Sequence, residues 1–265
     1  MNLLNYIIVI VLSLVTTIVF TFFILYSDRK SKEPVRMILL CLFSSIFTIS
    51  LSLILGQVLL PNLDIISTGL FNYNIQNIVK IVALALVEEY SKLVFLYLII
   101  SKTKYFNDIY DGFVYSSIIA LSFAALESLI YVFNEPNIES MKSLAILRSI
   151  TTVPIHLICG SVMGYYIGRE KFTWGSKRRF IYLLCALLLP TFLHFSYNYS
   201  LSNIVNRLLS SNMLIPVILA FFSLFYMISI IYIEKTIFLN KKFINNEKYD
   251  KLMTRNEANE TYILK

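Results

Sequence analysis

Seven stretches of this sequence run for about 20 residues each with almost nothing but apolar side chains, the length needed to cross the hydrocarbon core of a bilayer. They cover residues 3–26, 37–60, 78–100, 112–133, 144–168, 180–199 and 214–233. Lipid offers no partner to a free backbone N–H or C=O, so runs of this length must be helices. The expected fold is all-α, a polytopic membrane helix bundle of about seven spans. Composition agrees: 57% of the residues are hydrophobic and 15% charged, where soluble domains average about 25% charged, and the mean hydropathy is +0.71. The bundle is assigned to residues 1–238 and a polar cytoplasmic tail to 239–265.

The net charge of +7 lies between the spans and in the tail, which argues against a nucleic-acid partner. Arg29, Lys30, Lys32 and Arg36 fill the first loop, Lys102 and Lys104 the third, and Arg169, Lys171, Lys177, Arg178 and Arg179 the fifth. Seven more Lys and Arg follow residue 234. The intervening loops have almost none. The positive-inside rule therefore predicts a multi-pass plasma-membrane protein, N-terminus outside and C-terminus cytoplasmic. The first run reads as a retained span, and the second as ending at Pro61-Asn62. Asp111 reads as the N-cap of the fourth. Cys41, Cys159 and Cys185 all fall in apolar runs, with no disulfide framework or metal-knuckle spacing among them.

Within the third run, Glu88, Glu89 and Lys92 occupy three of five consecutive positions. Each such charge costs about 2.5–3.5 kcal/mol at the bilayer centre on insertion scales, so intramembrane ionisable residues point to function. Glu88 and Lys92, four apart, share a helix face and are expected to pair. The next three runs add Glu127, His156, and His194 with Asn198 one turn later. At ~1.5 Å per residue these groups lie roughly 9–18 Å below the outer surface, a common depth that unrelated packing residues have no reason to share. Glu127 has Lys92 or Arg148 as possible partners. His156, Gly160, Gly164 and Gly168 recur every four residues, a small-residue stripe that lets another helix approach closely.

Such a set permits amide hydrolysis by two schemes. In one, a glutamate activates water while His194 and Asn198 donate to the oxyanion. In the other, Glu127, His156 and His194 hold a zinc ion and leave Glu88 as base. The reading leans to zinc, because a bare carboxylate is a poor activator of water for this reaction. Serine-elbow, HExxH and paired intramembrane aspartate signatures are absent from the sequence. From chemistry alone, proton or cation transport stays equally open.

The motifs narrow the choice. Glu88-Glu89-Tyr90-Ser91-Lys92 fits EExxK, Phe123 to Glu127 fits FxxxE, and His194 to Asn198 fits HxxxN. Their contexts are Asp108-Ile109-Tyr110-Asp111-Gly112-Phe113, Val153-Pro154-Ile155-His156 and Pro190-Thr191-Phe192-Leu193-His194. Over residues 80–200 the sequence resembles the PrsW family of bacterial intramembrane proteases, and more distantly the CAAX prenyl endopeptidases. The resemblance implies that Glu88, Glu89 and His194 are catalytic, with Glu127, His156 and Asn198 supporting. Phe123 and Lys92 complete the motifs. Asn198 stands where many family members have Asp, which removes an acid from that position. The resemblance also implies that the substrate is a membrane-anchored anti-sigma factor with a single span, cut first on the extracytoplasmic side in a stress response. A coupled transporter and a non-catalytic receptor or scaffold are the alternatives.

Overall fold

The computed structural model describes residues 3–28, 33–70, 73–173 and 175–208, without the side chains of 63–70, 73–74 and 203–208. Every element among them is helical: α1 (Leu3–Ser27), α2 (Val35–Leu70), α3 (Tyr73–Phe95, ending in a π turn at Leu96–Ile100), α4 (Ile109–Phe133), α5 (Ile138–Ile150), α6 (Thr152–Lys171) and α7 (Ser176–Leu208). The run at 214–233 and the tail at 239–265 lie outside the described residues. Among the described residues, five helical segments are long and apolar enough to cross a membrane: Leu3–Ser27, Val35–Asn62, Ile109–Phe133, Ile138–Lys171 and Ser176–Ser202. The sequence-based expectation of an all-α polytopic membrane bundle is met.

The centre of the bundle is the pair α4 and α6, and glycines make that pairing possible. A Cβ on Gly160 would stand 2.5 Å from Cβ of Ala120, and one on Gly168 would stand 2.8 Å from the Ile109 carbonyl oxygen. Gly164 and Gly112 face each other so closely that neither leaves room for a side chain. The predicted stripe is therefore the surface on which α6 meets α4. Around this pair, α2 packs on α4, α7 on α6, α3 between α2 and α7, and α1 against α4 and α5. Phe113, Ile118, Leu121, Leu157, Met163 and Ile167 are buried at the centre. Leu3, Val11, Ile18 and Phe22 of α1 and Phe180, Leu188 and Phe192 of α7 face outward as lipid-contacting groups.

One local expectation is corrected, the N-cap of α4, and two spans prove to be built differently inside. Helix α2 continues through Pro61 to Leu70. The missing Pro61 N–H deprives the Gln57 carbonyl of its usual donor, and Asn62 Nδ2 supports the same turn by donating to the Val58 carbonyl at 2.6 Å. The N-cap of α4 is Asp108, not Asp111. Asp111 lies one turn in and accepts from the Asn107 and Asp108 amides, both at 2.6 Å, closing a capping box. The fifth run is two helices meeting at Thr151, whose Oγ1 donates to the Leu147 carbonyl at 2.8 Å. Pro154 falls in the first turn of α6, where its missing N–H costs nothing.

Candidate active site

Each of four helices contributes polar side chains to one buried cluster. Helix α3 brings Glu88, Glu89 and Lys92, α4 brings Phe123 and Glu127, α6 brings His156, and α7 brings His194. Pro190 lies one turn before His194 and cannot donate to the Ala186 carbonyl, which loosens α7 where it must deliver the imidazole. Lys92 and His156 have no exposed surface, and His194 has almost none.

Lys92 is the hub. Its Nζ donates to Glu89 Oε1 at 2.7 Å and to His156 Nδ1 at 2.8 Å, and lies 4.3 Å from the centre of the Phe123 ring. The expected Glu88–Lys92 pair does not form; Lys92 pairs with Glu89, three residues away. The reason is tertiary: the α6 and α7 imidazoles approach α3 on the Glu89 side. Glu89 Oε1 also bonds His194 Nδ1 at 2.9 Å. The two imidazoles meet edge to face, their centres 4.8 Å apart.

A second pair flanks the first. Glu127 Oε2 accepts from Arg148 Nη2 at 2.7 Å and bonds His156 Nε2 at 3.0 Å. Arg148 also donates from Nε to Ser128 Oγ at 3.1 Å and stacks over Tyr131. The Tyr197 hydroxyl bonds Thr151 and Thr152 at 2.8 and 2.9 Å, tying α7 to the α5–α6 joint.

With Glu89 given to Lys92 and Glu127 to Arg148, Glu88 is left. Among the described residues its Oε2 is buried without a hydrogen-bond partner, and the nearest basic atom is His194 Nε2 at 3.7 Å. The Glu88 side chain keeps 13% of its surface, whereas Glu89 keeps none. Of the two, Glu88 is the one whose side chain is not fully enclosed.

Seven of the eight residues singled out by sequence come together: Glu88, Glu89, Lys92, Phe123, Glu127, His156 and His194. Asn198 is one turn further along α7 and half-buried, with no hydrogen bond to the cluster among the described residues. Sequence reasoning gave no role to Ser128, Thr151, Thr152 or Tyr197, and a lone hydroxyl in an apolar run carries no signal of one. Arg148 did carry a signal, as a full charge in an apolar stretch within reach of Glu127.

The donor set fits a divalent cation, with one change from the set named above. The group whose ligand atoms lie within 4.8 Å of one another is Glu88, His156 and His194, with Glu88 in place of Glu127. Glu89 and Glu127 each hold one imidazole nitrogen, as carboxylates commonly do behind metal-bound histidines, and Glu88 offers an unsatisfied buried oxygen. The arrangement is thus a membrane-embedded Glu/His site in a helical bundle, of the kind that can hold a metal ion and activate water.

Comparison with known proteins gives the family. The model of the PrsW family of intramembrane metalloproteases matches residues 33–230. Protease PrsW of Clostridioides difficile (strain 630) is 30% identical over 190 residues, covering 72% of this chain and 77% of that protein. Protease PrsW of Oceanobacillus iheyensis is 36% identical over 131 residues, 49% of this chain and 58% of the relative. Protease PrsW of Bacillus subtilis (strain 168) is 29% identical over 182 residues, covering 68% and 76%. No solved structure matches the chain significantly. The chain belongs to the PrsW family and is an intramembrane protease of the cell membrane.

Proposed function

We propose that this protease cuts a single-span anti-sigma factor on the extracytoplasmic side of the membrane, as the first cleavage in a stress response. Glu88 carries the reading: its side chain is partly exposed and lies beside two imidazoles, and no Lys or Arg among the described residues pairs with it. In this role Glu88 takes the proton from the attacking water. With His194 neutral, as a metal ligand must be, donation from Nδ1 to Glu89 turns the Nε2 lone pair toward Glu88. Neutral His194 is thus unsuited to donate to an oxyanion. The Asn198 amide, one turn on, supplies that hydrogen bond instead. Zinc is the cation proposed for Glu88, His156 and His194, where it would polarise the scissile carbonyl and acidify water. A carboxylate has two oxygens, so a Glu88 that held a cation through one would keep the other to accept the proton. The extracytoplasmic placement follows from the Lys/Arg distribution and the common depth of the motifs.

The test is reconstitution of the full chain in liposomes with a panel of single-span proteins that includes anti-sigma factors, the products being mapped by mass spectrometry. The expected result is a cut on the extracytoplasmic side of the anti-sigma span, lost after exhaustive chelation and restored by zinc. A cytoplasmic-side product would overturn the assigned face, and full activity in chelated, metal-free protein would overturn the zinc assignment.

A further inference from the structure

The two imidazoles are held by opposite nitrogens. Glu89 takes Nδ1 of His194 and leaves Nε2 facing Glu88, while Glu127 takes Nε2 of His156 and leaves Nδ1 facing inward. That inward nitrogen is already occupied by Lys92 Nζ, at 2.8 Å. An ammonium can only donate and an imidazole Nδ1 has one lone pair, so Nδ1 cannot serve Lys92 and a metal ion together. Glu127, itself anchored by Arg148, keeps the other nitrogen from substituting. A further atom nearby is unsatisfied: Glu89 Oε2 is buried with no hydrogen-bond partner among the described residues.

We infer that Lys92 is an internal cation that competes with the metal for His156 and so sets the affinity of the site. Without metal, the ammonium bridges Glu89 and His156 and balances the buried negative charge. When a metal ion takes Nδ1 of His156, the ammonium withdraws onto Glu89, where the unpartnered Oε2 gives it a second acceptor. Lys92 is a positioning residue, since it acts through His156 and Glu89. The inference rests on the metal-site reading given above. A counter-ion that stayed on Nδ1 would instead leave the His156 Nδ1 resonance unmoved when zinc binds, which separates it from a competitor even though loss of a nearby positive charge by itself favours a cation.

The test uses the full chain in nanodiscs. Zinc affinity is measured by competition with a fluorescent chelator, for wild type and Lys92→Met. The competitor role predicts about 10–100-fold tighter zinc binding in Lys92→Met, the range typical of residues behind a metal site. Equal or weaker binding overturns it. The chain has only two histidines, so ¹⁵N-histidine NMR reads both rings directly. In wild type, zinc should shift the His156 Nδ1 resonance and leave Nε2 protonated. In metal-free protein, Lys92→Met should shift that same Nδ1, which a distant charge change would not do. If Lys92→Met fails to accumulate, the wild-type titration decides: zinc binding that leaves His156 Nδ1 unmoved overturns the inference while the metal site stands. No zinc binding by either protein overturns both. A failure to cleave, with the zinc behaviour as predicted, counts only against the proposed substrate.

Discussion

Consecutive residues on a helix leave its axis about 100° apart, and in α3 that angle sends Glu89 into Lys92 and His194 while Glu88 stays at the partly exposed edge of the cluster. Neutralising the two should therefore fail in different ways. Glu88→Gln removes the group placed to take a proton, so cleavage should fall about 10²–10⁴-fold while the protein accumulates normally. Glu89→Gln leaves the buried Lys92 ammonium without its counter-charge, a change that in buried ion pairs costs about 3–5 kcal/mol, so the yield and thermal midpoint of the purified protein should drop. Cleavage assays with size-exclusion thermal melts separate these outcomes. A Glu88→Gln variant cleaving at the wild-type rate would remove it from the chemistry. The cluster's membership was legible in the sequence because a charge in an apolar run is costly enough to need a reason. Its wiring was not. The choice of Lys92 between Glu88 and Glu89 depends on which side of α3 the imidazoles approach, and nothing within α3 records that.

At the level of elements, the glycine stripe fixes how closely α4 and α6 can pack. A side chain on Gly160 would run into the Ala120 Cβ and the Ser116 carbonyl, neither of which can swing aside. Gly160→Leu should force the two helices apart and abolish accumulation of folded protein. Gly56→Ala is the control, since a Cβ there meets only Leu60 at 3.9 Å, and it should be neutral or slightly stabilising. Membrane-fraction immunoblots and melts measure both, and normal folding of Gly160→Leu would refute the close packing. The stripe was readable because its period of four marks a helix face. The break between α5 and α6 was harder to see, since the apolar run passes through Ile150 and Thr151 without interruption. Its one local sign was Pro154, a residue better suited to the first turn of a helix than to its middle. Pro61 misled in the other direction. It marks a lost hydrogen bond, and a helix can absorb one.

For the whole molecule, the distribution of Lys and Arg predicts which ends of the helices face the cytoplasm. Reporter fusions after Lys104 and Arg179 should be cytoplasmic, and fusions at Asn62 and Asn137 should lie outside. A cytoplasmic signal at Asn137 would invert the bundle and move the proposed cut to the other face. The all-α bundle itself was evident from run length alone, because lipid admits so few alternatives. The bundle also carries an imbalance. Helix α3 holds Lys80, Glu88, Glu89 and Lys92 and is not among the segments apolar enough to cross a membrane unaided. On insertion scales those four charges weigh about 10 kcal/mol against lipid, more than its Leu, Ile and Val residues readily offset. Two of the groups that settle those charges come late in synthesis: His156 follows Lys92 by 64 residues, and His194 follows Glu89 by 105. Helix α3 is thus made before the two imidazoles that bond its charged groups. Within α3 the Glu89–Lys92 pair offsets two of those charges, and the bonds to His156 and His194 form once α6 and α7 are in place.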